Sequence, residues 1–249
     1  MANRIRTTHV GSLPRSAVVT DLVFAQERGE AIDTAVFSRV IGAAVDDAVE
    51  RQVASGVDLV SDGEMSKISY ATYIKDRLTG FGGSDNTYVF DDLVDFPNIA
   101  KRVGEDPSRQ HRHAPGCKGP ISVKNMDDVY VDIRNMEAAV GKDGMKNVFF
   151  SSASPGVTSI FFKNEYYATH EEYVFAIAEA MKHEYEAIAK SGATLQIDCP
   201  DLAMGRHSAY AKLDREEFRA TIRTNIEALN HAVRNIPAEQ LRMHLCWGN

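Results

Sequence analysis

The stretch Thr169-His170-Glu171-Glu172, continuing to Ser191-Gly192-Ala193-Thr194-Leu195-Gln196-Ile197-Asp198-Cys199-Pro200-Asp201, decides the fold. Val174, Ile177, Met181, Tyr185 and Ile188 recur at steps of three and four, the spacing of one buried helix face. Thr169 and Glu172 stand at the spacing of a capping box, which satisfies orphan backbone donors at a helix start. Gly192 ends the helix, and Thr194 to Asp198 follows as a strand. On that strand Leu195, Ile197 and Cys199 share one face, while Gln196 and Asp198 share the other. A long helix leading at once into a buried strand is half of a βαβ unit, and such units build parallel sheets.

The same rhythm extends outward in both directions. Strand candidates are Ile5 to Val10, Val57 to Ser61, a weaker one near Lys118 to Val123, Asn147 to Ser152, and Leu241 to Cys246. Between them, Phe37, Ile41, Val45 and Ala48 form a helical stripe, capped by Asp33 and ended by Gly56. A third stripe, after Asp214, carries Phe218, Ile222, Ile226, Leu229 and Val233. The fold class expected is α/β, a (β/α)₈ barrel that is incomplete, with about six of the eight units. It is read as a single domain over residues 1–249, with an irregular insertion over residues 80–116 that is rich in Gly, Asp, Pro and His. That insertion is either a lid or hairpin over a site, or a plain surface excursion. An open doubly wound sheet is the alternative, weakened because no G-x-G-x-x-G turn follows the first strand.

Composition narrows the function classes. The chain has 249 residues, 28 Lys+Arg against 35 Asp+Glu, and a formal net charge of −7, which argues against nucleic acid as a partner. No apolar run is long enough for a transmembrane helix, so no membrane role is expected. The N-terminal pattern does not fit a secretory signal. Cys117, Cys199 and Cys246 are too few and too scattered for a disulfide framework, so a cytoplasmic home is expected.

Several segments could carry chemistry. His244 and Cys246 are two apart on a strand and so project together, at the active-site end of a parallel barrel. One imidazole and one thiolate are half of a tetrahedral zinc site; the alternative is a packed His and a small buried hydrophobe. Ser61-Asp62-Gly63-Glu64 follows a strand, so Glu64 is either a substrate anchor or a solvated loop residue. Asp198 points into the lumen, where a carboxylate needs a partner: a substrate ammonium, or a neighbouring Arg or Lys. In Thr7-Thr8-His9-Val10-Gly11-Ser12-Leu13-Pro14-Arg15, Gly11 and Ser12 could cradle a substrate carboxylate or simply form a strand-to-helix turn. His9 is a ligand, an acid/base group or a packed core residue. His111 and His113 have the spacing of a ligand pair inside the insertion, where a solvated loop is the competing reading. Ser151 to Gly156 contains no G-x-S-x-G nucleophile elbow.

As an ordered set, Thr7 to Arg15, Ser61 to Glu64, Ser154-Pro155-Gly156, Gln196 to Pro200 and His244-Leu245-Cys246 resemble the cobalamin-independent methionine synthase family. The likeness is to its short, stand-alone catalytic-barrel members. The resemblance implies a (β/α)₈ barrel, zinc as cofactor, and small-molecule substrates: methyl transfer from 5-methyltetrahydrofolate, in its polyglutamate form, to the thiol of homocysteine. It makes His244 and Cys246 zinc ligands. It places Ser12, Glu64 and Asp198 against the amino-acid part of homocysteine, with His9 in the same substrate site.

The family completes its zinc site with a Glu and a second Cys beyond the H-x-C strand, and places a catalytic His there. This sequence stops at Asn249, so a truncated member is expected, and its catalytic residues remain unassigned. Cys117 and Cys199 match no ligand position. An open barrel would expose sheet edges and favour self-association, giving a homo-oligomer or an inactive remnant. A sister alkyltransferase using a sulfonate thiol such as coenzyme M would need cations near the acids, and Arg15, Lys67 and Arg206 keep it open. A metal-free decarboxylase leaves His244 and Cys246 without a role.

Overall fold

The computed structural model describes residues 4–85, 91–105 and 113–246. His111 lies outside them. In chain order the helices are α1 (Ala17–Glu27), α2 (Thr34–Ala54), the single turn α3 (Ile74–Arg77), α4 (Pro97–Gly104), α5 (Asp127–Val140), α6 (Pro155–Phe161), α7 (His170–Lys190) and α8 (Arg215–Val233). The strands are β1 (Phe81–Asp85), β2 (Pro115–Cys117), β3 (Phe149–Ala153), β4 (Thr194–Asp198) and β5 (Leu241–His244).

Local chemistry explains where the helices begin. Asp33 accepts from Ala35 N and Val36 N at the start of α2, and Ser16 caps α1. Thr169 accepts from Glu172 N, while the Glu172 carboxylate reaches back to Ala168 N rather than to the cap residue. Asp214 and Glu217 form the full reciprocal box at α8. The stripe expected on α7 is buried throughout. The stripe expected on α8 is not: Ile226 is 37% exposed, and the packed face is Asn225, Ala228, Leu229 and Ala232. This face turns toward α7 and α6, and Ile226 lies one residue round from it.

β3, β4 and β5 pair in parallel, in chain order, with Ser151 level with Gln196 and Gln196 level with Arg242. The sheet continues past β3 through single parallel bridges, Val60 to Val148 and Thr8 to Leu59. Among the described residues the parallel array therefore runs from the Thr8 segment through Leu59-Val60 to β3, β4 and β5. This is a mixed α/β fold, and the described residues form no closed barrel.

The strand expected near Lys118 to Val123 does not join this array. Lys118 N and Gly119 N both donate to Gly80 O, at 2.7 and 3.2 Å, and Pro120 has no donor to offer a sheet. The segment just before it, β2, pairs antiparallel with β1, and Val123 bridges antiparallel to Leu78. Parallel segments thus number five among the described residues, where about six were expected. The insertion is in part structured, holding the β1–β2 ribbon and α4.

Candidate active site

The polar site gathers at the C-terminal ends of the parallel strands. Its most constrained residue is Glu64, in the turn after Leu59-Val60. Gly63 and Glu64 both adopt left-handed backbone, φ 62° and 57°, and Glu64 is the one non-glycine residue to do so among those described. For a residue with a Cβ this costs on the order of 1–3 kcal/mol, and it persists only where neighbours hold it. Here Leu13 N donates to Gly63 O at 3.0 Å. Arg15 Nη2 donates to Glu64 O at 2.7 Å and to Lys67 O at 2.5 Å. Glu64 N donates to Asp62 Oδ1 at 3.0 Å. The segment after Thr8 therefore clamps the loop.

This clamp fixes the carboxylate. Ser12 Oγ, exposed at the rim, donates to Glu64 Oε2 at 2.6 Å. Glu64 is 2% exposed, and its Oε1 is buried without a hydrogen-bond partner. Asp62 Oδ2 is in the same condition, and burial pushes the Asp62 carboxyl up to about 6.

Asp198 ends β4 and is buried. Gln196 Nε2 donates to Asp198 Oδ1 at 2.8 Å and to Ser151 Oγ at 3.1 Å, and Gln196 Oε1 accepts from Arg242 Nε at 2.9 Å. Burial raises the Asp198 carboxyl to about 7; the Gln196 hydrogen bond opposes this, the charge of Glu64 adds to it, and Lys67 and Arg242 oppose it. Glu64 and Asp198 are therefore near enough to feel one another.

His9 lies beside them. Its Nε2 is 3.2 Å from both Gly11 O and Ser61 Oγ, and its ring leans on Phe149 at 5.6 Å. Burial lowers its pKa, which favours the neutral imidazole, and Nδ1 has no partner. Arg242 stacks on the Phe149 ring at 3.6 Å and donates to the exposed Thr8 Oγ1 at 3.2 Å, joining β5 to the Thr8 segment. The reading from sequence missed Arg242. The signal was present, because residue 242 is two before His244 and must share its face.

Arg242, His244 and Cys246 alternate with Met243 and Leu245, which are 49% and 54% exposed. The two donors thus share the more covered face, and burial with the nearby Arg242 charge keeps His244 in the neutral form that ligates metals. Yet no group of three His, Cys, Asp or Glu suited to a metal occurs among the described residues. Two donors do not complete a tetrahedral set, so these residues alone do not fit zinc. His113 pairs with Asp85 through Nδ1 at 2.6 Å, away from this site.

Two buried networks support the site from outside. Ser154 donates to Asp201 Oδ1 at 2.8 Å, Asn225 Nδ2 donates to Asp201 Oδ2 at 3.0 Å, and His170 Nε2 meets Asn225 Oδ1 at 2.7 Å. This ties the Ser154-Pro155-Gly156 turn to the loop after β4. Behind β3, Glu184 accepts from Tyr73, Ser152 and Arg77 at 2.7, 2.5 and 2.7 Å.

A parallel α/β array with two buried carboxylates and a part-covered H-x-C pair at its strand ends marks a candidate small-molecule enzyme site. No protein-family model matches the chain. Methionine synthase of Saccharolobus islandicus (strain L.S.2.15) is 23% identical over 243 residues, covering 97% of this chain and 62% of that protein. Methionine synthase of Sulfolobus acidocaldarius is 20% identical over 243 residues, covering 97% and 61%. Among solved structures, the fold matches a B12-independent methionine synthase from Shewanella sp. W3-18-1 in complex with selenomethionine (TM-score 0.61, 18% identity, 87% of this chain and 54% of that one). It also matches a Listeria monocytogenes protein put forward as a vitamin-B12-independent methionine synthase (TM-score 0.68, 19% identity, 99% and 67%). The chain is thus related in sequence to methionine synthases and shares the fold of the B12-independent ones. It spans about 62% of the length of the curated relatives it matches.

Proposed function

We propose that this chain carries the amino-acid-thiol site of a methyltransferase that moves a methyl group from 5-methyltetrahydrofolate to homocysteine, giving methionine. The observation that carries this reading is Glu64: one carboxylate oxygen is anchored by Ser12, and the other is buried and unpartnered beside Asp198. Such an oxygen suits an ammonium, and two acids suit it better than one. With the ammonium held by Glu64 and Asp198, the side chain of homocysteine extends toward the strand end that bears His244 and Cys246. That orientation is this chain's contribution to the barrier.

The finer parts of the proposal are a (β/α)₈-type barrel, a single domain over residues 1–249, a cytoplasmic setting, and zinc ligated in part by His244 and Cys246. No helix among the described residues is long and apolar enough to cross a membrane. A second reading, transfer to a thiol bearing a sulfonate, draws on the inward Arg242 and the buried Lys67; the unpartnered Glu64 oxygen favours an ammonium instead.

The test is methionine formation from homocysteine and 5-methyltetrahydropteroyltriglutamate, followed by mass spectrometry, with zinc content measured in parallel. Product that Glu64→Gln abolishes, and zinc that Cys246→Ser loses, support the reading. Absence of homocysteine binding to the unmodified protein overturns it.

A further inference from the structure

Ser151, Gln196 and Arg242 stand level on β3, β4 and β5 and so form one row across the sheet. Gln196, in the middle of the row, is buried. Its Oε1 accepts from Arg242 Nε at 2.9 Å. Its Nε2 donates to Ser151 Oγ at 3.1 Å and, along its own strand, to Asp198 Oδ1 at 2.8 Å. The amide therefore links a guanidinium on one side to a carboxylate on the other.

A primary amide can be turned over, which exchanges acceptor for donor at both ends. Two of the three partners do not decide which way it faces. A hydroxyl donates or accepts, and so does a carboxyl group, according to its protonation. A guanidinium has donors only. Arg242 therefore admits Oε1 alone, and the amide N–H groups are left to Asp198 and Ser151. Turned over, the amide would set N–H against N–H at Arg242 and oxygen against oxygen at an ionised Asp198, and buried polar groups left so are costly.

Arg242 is itself held. Its guanidinium lies on the Phe149 ring, and Nη1 and Nη2 reach Thr8 Oγ1 at 3.2 and 3.3 Å. The Thr8 hydroxyl has His9 O at 3.1 Å and Leu59 O at 3.3 Å for its own proton, so its lone pairs are open to the guanidinium. We propose that Arg242 is a positioning residue: by fixing the Gln196 amide it presents an N–H to Asp198 and holds that carboxylate in the orientation that receives a substrate ammonium. The assignment rests on the reading above that Glu64 and Asp198 take the ammonium. It gives Arg242 no contact with the substrate, and it requires a donor-only side chain at position 242 rather than any polar one.

Calorimetric titration of the full chain with L-homocysteine and with 3-mercaptopropylamine, which has the ammonium but no carboxylate, tests this. Arg242→Met should weaken both about tenfold, by the same factor. Arg242→Lys, still donor-only, should recover part of the loss, whereas Arg242→Gln, which accepts as readily as it donates, should not. Gln196→Met should weaken both thiols as well, and Arg242→Met added to it should cost nothing further, because the link is already cut. A loss through the charge of Arg242 alone would persist in that background. If Arg242→Met does not fold, the comparison of Arg242→Lys with Arg242→Gln carries the same test. Additive losses in the double variant, equal recovery by Lys and Gln, or a loss confined to L-homocysteine overturns the assignment, the last by placing Arg242 on the substrate carboxylate, and each leaves the ammonium reading standing. Failure of the unmodified protein to bind either thiol overturns both.

Discussion

Ser12 and Glu64 stand 52 positions apart in the chain and are joined by a 2.6 Å hydrogen bond from hydroxyl to carboxylate. The bond divides the two oxygens of Glu64 by role. Oε2 is anchored to the segment after the first parallel strand, and Oε1 is left buried without a hydrogen-bond partner. The left-handed turn at Gly63-Glu64 makes the division possible, because it aims the side chain back at Ser12.

Ser12→Ala should therefore weaken ligand binding more than it weakens the fold. Ser12 is exposed, so water can replace its hydroxyl in the unliganded protein, and the melting temperature should hardly move. Affinity for L-homocysteine should fall about tenfold, since the carboxylate loses its fixed orientation. Calorimetry and thermal melts on the same preparation check this; an equal loss in both would assign Ser12 to structure alone.

Arg77 is buried between two acids, 2.7 Å from Glu184 Oε2 and 2.9 Å from Asp132 Oδ2. Removing it leaves both carboxylates without a counter-ion behind β3. Arg77→Met should cost about 3–5 kcal/mol in urea unfolding. Glu184→Gln should cost less, because Asp132 still balances the guanidinium.

Gly156 is constrained by space rather than by backbone angle. A Cβ there would meet the Asp201 carboxylate, with Cγ at 2.6 Å and Asn225 Nδ2 at 2.7 Å. Gly156→Ala should displace Asp201 from Ser154 and destabilise the protein by about 1–3 kcal/mol. A melting temperature unchanged from the parent would show that the loop after β4 yields freely.

What the sequence disclosed, and what it hid, follows from the range of each signal. α7 and β4 are legible because periods of 3.6 and 2 are local, and the inward direction of Gln196 and Asp198 follows from the second. The Lys118 to Val123 strand fails because its donors are taken by Gly80 O, Tyr167 Oη and Thr79 Oγ1, tertiary choices that no period reports. Ser12, Glu64 and Asp198 could be singled out one by one, yet the Ser12–Glu64 bond depends on a turn that only the packing of Leu13 and Arg15 makes visible. Arg77, Asp132 and Glu184 come from three distant helices, and nothing in their spacing announces that they meet.

Asp62 should set part of the pH dependence of stability. Burial raises its carboxyl from 3.8 to about 6, with Lys67 opposing and Asp132 and Glu64 adding to the rise. A raised folded-state pKa means that the native protein holds a proton the unfolded chain has released. The corresponding stability is fully present below about pH 4 and is lost as pH rises through about 6. A rise of this size corresponds to at most about 3 kcal/mol. Asp62→Asn keeps an oxygen to accept from Glu64 N, at 3.0 Å in the parent, and removes the titration. Urea midpoints between pH 4.5 and 7.5 should therefore fall more gently in Asp62→Asn than in the parent. An unchanged slope would move the dependence to Asp198, whose carboxyl burial raises to about 7 and which would act in the same direction.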